Sequence, residues 1–533
     1  MHKIRTILLG LLVLLVAACA PAAMDVSSES AGLNASAAEQ KLILASGRNL
    51  GPGNPHAYDS SMVLLDLIYE PLVRYAPNGT ITPALAEAWE ISDDGLTWTF
   101  YLRSDVTFHD GTPFNAEAAR WNLERWVGDE GHGWLPTTML ISGVETPDDA
   151  TLVVTLDDAY YPAMQDFTLI RPVRFLSPAA VDADENFAQA IGTGPWQVES
   201  LTDESASLSR YAEYWGELPS LEQLDIEVVL DAQTRVAALQ SGDLNAIGGE
   251  YLGSIPPESM AALEQNEDVT ILSAEGTTIF YIAANQENSP LADRQVRQAI
   301  NHALDRQGLA DAIFGGRAEV AEGLFPPVIP YVTSAGVDTY TYDPDQARAL
   351  LADAGWTLND AGMLERDGEP LEIDLVVDQS RLPQTASMAT AIQAQLQEVG
   401  IVLNLRMYDY SGWLDSFFAK DYDLIMRFSW GPPYDPHTLL AGAFHTVDTE
   451  ETTISYADAE LDALIDAVLV SNDEDERQDL YNQIWQHLDA ESAIIPLVYP
   501  QRVYAVGGNV EGFRLGGTEY DLSYAVQQVT LAE

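Results

Sequence analysis

The chain holds a single cysteine, Cys19, and that residue lies ahead of the part that must fold. Beyond it neither a disulfide nor a cysteine metal site is available, so stability has to come from apolar cores alone. Residues 41–533 run well past the length at which one core stops growing, and two or more domains are therefore expected.

Cys19 closes a segment of a different kind. Lys3 and Arg5 precede an apolar run from Ile7 to Ala18 that ends in Val16-Ala17-Ala18-Cys19. A positive start, a short apolar stretch and small residues before a cleavage point make residues 1–18 a signal peptide, too short to serve comfortably as a permanent membrane span. The final tetrapeptide resembles a bacterial lipobox. That resemblance implies that Cys19 is diacylated on sulfur and anchors the mature chain outside the cytoplasm, in the periplasmic space or on the outer face of the cytoplasmic membrane. A plain buried thiol is the alternative. Residues 19–40 are small and polar, with Ser27, Ser28, Ser30 and Ser36 among alanines, and read as a flexible tether.

The charge balance excludes one class of partner. The chain has 82 Asp plus Glu against 25 Lys plus Arg, a formal net charge of -57, and its only lysines are Lys3, Lys41 and Lys420. No basic field exists to neutralise phosphates, so nucleic acid is not expected as a partner. The acids are spread along the chain, which favours adaptation to a salty medium over a site for cationic substrates.

The coarse pattern is that of an α/β chain. Apolar or alternating runs at 42–46, 98–102 and 152–156 read as strands. Amphipathic spacing predicts helices over 116–126, 233–240, 293–304, 344–354, 384–397 and 473–489, with stop signals at Ala354-Gly355 and Val399-Gly400. Two stretches look like crossings between units: Gly192-Thr193-Gly194-Pro195-Trp196, and the apolar Ile279–Asn285 with the polar 286–290 behind it. Motifs for metalloproteases, serine hydrolases and phosphate-binding loops are missing, and nothing fixes two carboxylates at a useful separation. The chain therefore reads as a binder and not an enzyme, with a secreted hydrolase as a remote alternative.

Several phrases, in order along the chain, carry a family resemblance. Tyr69-Glu70-Pro71-Leu72-Val73, Phe108-His109-Asp110-Gly111-Thr112-Pro113-Phe114, Gly192-Thr193-Gly194-Pro195-Trp196 and Asp293-Arg294-Gln295-Val296-Arg297-Gln298-Ala299-Ile300 resemble the bacterial extracellular solute-binding proteins of the peptide/nickel class. The resemblance implies an α/β, two-lobed periplasmic-binding-protein type II fold with an extra subdomain inserted in the first lobe. Lobe I is expected at 41–284 with the insertion at about 76–190, lobe II at 285–505, and a C-terminal return to lobe I at 506–533. A monomer is expected, which captures a small ligand between closing lobes and hands it to the permease and ATPase of an ABC importer. His109 belongs to a turn in this reading, and not to a catalytic site.

Two further phrases resemble the nickel-binding branch: Ile170-Arg171-Pro172-Val173-Arg174-Phe175-Leu176-Ser177-Pro178 and Trp430-Gly431-Pro432-Pro433-Tyr434-Asp435-Pro436-His437. Pro432 and Pro433 stand where dipeptide-binding relatives usually carry an aspartate, which moves the expected cargo from a dipeptide or oligopeptide to a nickel or other transition-metal chelate. No intrinsic cofactor is expected. By the same resemblance Arg171 holds the chelator's carboxylates, for which a guanidinium fork is well shaped. The competing reading is a structural ion pair, with Arg174 as the local rival. Trp134, Trp430 and Tyr434 match aromatic wall positions, and Met62 and Tyr58 match a segment beside them, with plain packing as the alternative. Metal coordination would fall to His445 or His437, since the position matching the family's histidine is Asp448. Gly131, followed by His132, replaces a basic residue common in relatives, and one cation fewer weakens the hold on a multiply negative chelate.

Overall fold

The structure, a computed structural model, describes residues 41–532 except 288–289, 333–339, 381, 383, 432, 447–455 and 457. The segments expected to be signal peptide and tether, with Cys19, together with Pro432 and Asp448, lie outside the described residues. No helix among the described residues is long and apolar enough to cross a membrane.

Two mixed sheets organise the chain. The first has the strand order Val269–Ala274, Arg502–Gly507, Ala246–Gly248, Lys41–Ser46, Gln223–Val228, Ser205–Arg210 and Trp196–Leu201. Lys41–Ser46 runs parallel to both of its neighbours, whereas Arg502–Gly507 joins antiparallel. The second has the order Ala318–Val320, Ile494–Pro500, Phe280–Ala284, Leu424–Phe428, Glu372–Asp378 and Val402–Tyr408. Glu372–Asp378 and Phe280–Ala284 are almost wholly buried, as strands covered on both faces must be.

The helices follow the sequence pattern closely. Arg294–Ala303 buries Val296, Ala299, Ile300 and Ala303, spaced three and four apart, and is capped by the Asp293 carboxylate accepting from the Gln295 N–H at 2.9 Å. Glu474–Ala490 is capped by Asp473, has Glu474, Asp475 and Glu476 in its first turn and His487 in its last, and buries Tyr481, Ile484, Trp485 and Leu488. Such pairs of acid start and basic end suit the helix dipole, so even this acid-rich composition is locally ordered.

Between the first and second strands of lobe I lies the inserted unit, an antiparallel sheet ordered Ala86–Ile91, Thr97–Leu102, Thr151–Leu156 and Ile141–Asp148, with helix Ala116–Trp126 against it. Trp98, Phe100, Phe108, Trp126, Phe167 and Phe175 fill its core, which also takes in Leu72 and Val73, ahead of the expected start at 76.

The crossings between lobes differ from those expected. Phe280–Ala284 is hydrogen-bonded inside the second sheet and Arg502–Gly507 inside the first, so the chain crosses at 275–279 and at Gln501 and not at 284–285 and 505–506. The run at 279–285 is apolar because it is a central strand, and the polar residues after it belong to lobe II. Gly192 to Pro195 is no crossing either. Gly194 N–H donates to Ile68 O at 2.8 Å, and a Cβ on Gly192 would lie 2.1 Å from the same oxygen, so glycine is needed there for close packing within lobe I. His109 Nε2–H donates to Gly194 O at 2.9 Å, which makes it a clamp on this turn. The two true crossings run side by side: a Cβ on Gly276 would come within 2.3 Å of Pro500 O.

Candidate functional site

Between the lobes lies a cavity of about 430 Å³. Lobe I supplies Tyr58, Met62, Trp134, Arg171, Tyr251, Glu250 and Glu519 to its wall, and lobe II supplies Phe325, Ile329, Phe428, Ser429, Trp430 and Pro433. Five of the residues expected at a ligand site, Arg171, Trp134, Trp430, Met62 and Tyr58, thus come together in one place.

Arg171 stacks its guanidinium 5.0 Å from the Tyr58 ring centroid and donates from Nη1 to Ser60 O at 3.2 Å. Its Nε is buried without a hydrogen-bond partner, and it makes no ion pair among the described residues. Burial pulls its pKa below the usual arginine value, against the favourable influence of Tyr251 and Tyr58. Arg174 has a different task. It is buried in lobe I, donates to Thr168 O and Leu169 O, and lies 4.0 Å from Asp66. The two arginines are therefore separated by role: Arg174 closes a loop, whereas Arg171 presents donors to the cavity.

A relay behind Tyr58 fixes the aromatic wall. Trp134 Nε1–H donates to Tyr58 Oη at 2.5 Å, which leaves the Tyr58 hydroxyl to donate to His132 Nδ1 at 2.7 Å. Burial lowers the His132 pKa, with Asp129 opposing, and so favours the neutral ring that this relay requires. His132 was not foreseen as a site residue; its place two residues before Trp134 was the available signal. Across the cavity Trp134 meets Trp430 edge to face, with ring centroids 6.3 Å apart. Gly442, in helix His437–Phe444, makes room for that indole, since a Cβ there would lie 2.6 Å from its Cη2. Met62 Sδ accepts from the Tyr251 hydroxyl at 3.0 Å, and so the thioether is held in the wall.

Tyr434 does not line the cavity, contrary to expectation. Its hydroxyl donates to Gly517 O at 2.6 Å and its ring packs on Tyr75 with centroids 5.0 Å apart, so its surface is consumed in joining the lobes. His437 is also excluded as a metal ligand. It is wholly buried, with Nδ1 2.7 Å from Asp435 and Nε2 3.0 Å from Asp166, leaving no ring nitrogen free. His445 lies outside the cavity lining, with Nε2 3.0 Å from Asp466. No cluster of metal-ligating side chains occurs among the described residues.

The His437 arrangement joins the lobes through charge. Asp166 comes from the inserted unit of lobe I, where it also accepts from Thr137 Oγ1 at 2.6 Å. Asp435 comes from lobe II, where the Tyr481 hydroxyl donates to it at 3.1 Å and Arg477 lies 3.5 Å away. Burial works against charging the imidazole, but the two carboxylates prevail and raise its pKa to about 9, while Asp435 is lowered despite its own burial.

A model of the bacterial extracellular solute-binding proteins, family 5 Middle, matches residues 80–451. The chain is 35% identical over 478 residues to the nickel-binding periplasmic protein of Escherichia coli strain K12, covering 87% of this chain and 90% of that protein. It is 30% identical over 518 residues to the glutathione-binding protein GsiB of Salmonella typhi, covering 92% and 95%. Among solved structures, NikA from Brucella suis in complex with Fe(III)-EDTA superposes with a TM-score of 0.85 at 32% identity, covering 92% of this chain and 99% of that one.

The buried bridge makes a pH prediction. A histidine whose folded pKa exceeds its unfolded value stabilises fully below about pH 6.5, and the contribution is lost as the pH rises through about 9. The melting temperature of the wild type should therefore exceed that of His437→Gln by a constant margin near pH 6. That margin should shrink steadily up to about pH 10, by an amount on the order of 3 kcal/mol in stability. A margin independent of pH would show that His437 is neutral in the fold.

Proposed function

The chain belongs to the bacterial extracellular solute-binding proteins, family 5, and we propose that its cargo is a nickel or other transition-metal chelate, held through the chelator. The observation that carries this reading is Arg171. In a chain with 82 acidic residues, this arginine faces the interlobe cavity with an unpartnered Nε and no ion pair among the described residues. A ligand carboxylate would complete it with parallel, charge-assisted hydrogen bonds, in a site dry enough to strengthen them.

The rest of the wall supports the same choice. Trp134, Trp430 and Tyr58 offer rigid aromatic faces to a flat or partly apolar chelator. The excluded histidines leave the metal's donors to be supplied by the chelator itself. The E. coli relative is named for nickel, and the Brucella structure holds a metal chelate, which agree with this cargo. The charged groups of the cavity all come from lobe I, and the part of lobe II that lines it is uncharged. Ligand would thus be recognised first on lobe I, and closure of the apolar lobe II wall over it would shift the ensemble toward the form that the importer's permease accepts. On this reading Cys19 carries the lipid that keeps the protein beside its permease. Cys19→Ser should then leave the mature protein in the soluble extracytoplasmic fraction, and persistent membrane association would remove the anchor from that residue.

The cargo is tested by thermal shift and calorimetry. Nickel with excess L-histidine, or with another small chelator, should raise the melting temperature where dipeptides do not. Arg171→Ala should weaken chelate binding at least tenfold, about 1.4 kcal/mol. A response to dipeptides alone would replace the chelate reading by the peptide one, and an unchanged affinity would take Arg171 out of the site.

A further inference from the structure

The ring that braces the ligand wall from behind is itself titratable. His132 ends the short helix Glu130–His132 and is 5% exposed. Its backbone is fixed: the N–H donates to Asp129 O at 2.9 Å, and the carbonyl accepts from Leu135 N–H at 2.9 Å and from Thr138 Oγ1–H at 3.0 Å. The imidazole is thereby set with Nδ1 2.7 Å from the Tyr58 hydroxyl and the two rings edge to face at 5.3 Å. Tyr58 is caught between two neighbours. Its oxygen accepts from Trp134 Nε1–H at 2.5 Å, so its own proton is committed to His132. The same phenol carries the Arg171 guanidinium, 5.0 Å from its centroid, at the cavity wall. The placing of that arginine thus passes through an imidazole that does not itself line the cavity.

Resting on the assignment of this cavity as the ligand site, we propose that His132 is a positioning residue for cargo: its neutral ring holds Tyr58 in place beneath Arg171, and a proton on it releases that hold. Cargo is then bound near neutral pH and let go in acid. The reason is a count of protons. An imidazolium carries an N–H on both nitrogens and can only donate. Tyr58 Oη would face two donors, Trp134 and His132, with neither left to accept its own proton, so the phenol must turn and Arg171 loses its platform. The surrounding charges put this change on the acid side. Burial, opposed by Asp129, holds the His132 pKa below the usual histidine value. The other imidazole nearby, His56, donates from Nε2 to Arg174 O at 3.0 Å; burial, aided by Arg125 and His132, lowers its pKa to about 4, so it stays neutral where His132 titrates. Burial raises the Tyr58 pKa, which keeps the phenol a donor throughout. The new charge reaches Arg171 only across the Tyr58 ring, whereas the lost hydrogen bond acts on that ring directly.

Calorimetry against pH tests the proposal with Fe(III)-EDTA, a chelate that keeps its metal in acid. His132→Asn leaves an amide oxygen near the place of Nδ1 and removes the titration, whereas His132→Leu removes the acceptor. At pH 7 the wild type and His132→Asn should bind within twofold of each other, and His132→Leu at least fivefold more weakly. At pH 5 the wild type should have lost at least threefold relative to His132→Asn, which shares every other titrating group. Tyr58→Phe, at an exposed position that accepts the change, should show the smaller acid-side loss of His132→Asn. Equal weakening by His132→Asn and His132→Leu at pH 7, or a wild type that keeps pace with His132→Asn down to pH 5, would overturn the proposal. A readout without ligand separates it from the cargo reading. The Trp134 Nε1–H proton resonance, assigned with Trp134→Phe, should move between pH 7 and pH 5 in the wild type and stay fixed in His132→Asn. If Fe(III)-EDTA binds at no pH, the chelate reading fails and His132 is judged on this resonance, where movement sustains its hold on the wall and an unmoved signal ends it.

Discussion

A buried imidazolium sits where the two lobes meet, and much of the site depends on it. Asp166, His437 and Asp435 form a line of charge from the inserted unit of lobe I into lobe II, sealed from water. Such a group is costly to bury and is stable only with both carboxylates in place, so its worth lies in fixing one geometry. That geometry sets the course of the chain just before it. Tyr434 is pinned on Gly517, Gly431 adopts a φ of 108° that favours glycine, and Trp430 is turned toward Trp134. His437, which seemed fit to hold a metal, instead joins the lobes, and in doing so it helps to shape the cavity wall.

The cavity then divides its labour by lobe. Lobe I brings the charged residues of the wall, and Arg171 among them is braced from behind by Tyr58 and Ser60, as Tyr58 is by Trp134 and His132. Lobe II brings an uncharged lining that excludes water when it meets lobe I. Low local polarity makes each charged contact count for more, and the two crossings run side by side, touching at Gly276 and Pro500.

Most of the frame was legible in the sequence because its signals were local. Helical spacing placed 116–126 and 384–397 within a residue of the observed ends, and the strand at 98–102 was read one residue short. The five residues that share the cavity were reached through family resemblance, not through spacing. What escaped the reading depends on partners far apart in the chain. His437 looks like a free loop histidine until Asp166, 271 residues away, is brought to its Nε2. Tyr434 looks like a wall until its hydroxyl finds Gly517. The crossings were misplaced for a related reason: a fully buried central strand and an apolar connector have the same composition, and only sheet pairing separates them.

The claim on which the rest turns is that the chelator, and no side chain of the protein, presents the metal. A co-crystal structure with nickel and L-histidine, recorded at the nickel absorption edge, tests it directly. The account predicts one anomalous peak in the cavity between Trp134 and Trp430, with a histidine carboxylate on the Arg171 guanidinium and every bond to nickel coming from the chelator. A peak bonded to a protein imidazole or carboxylate, or one lying away from Arg171, would contradict it.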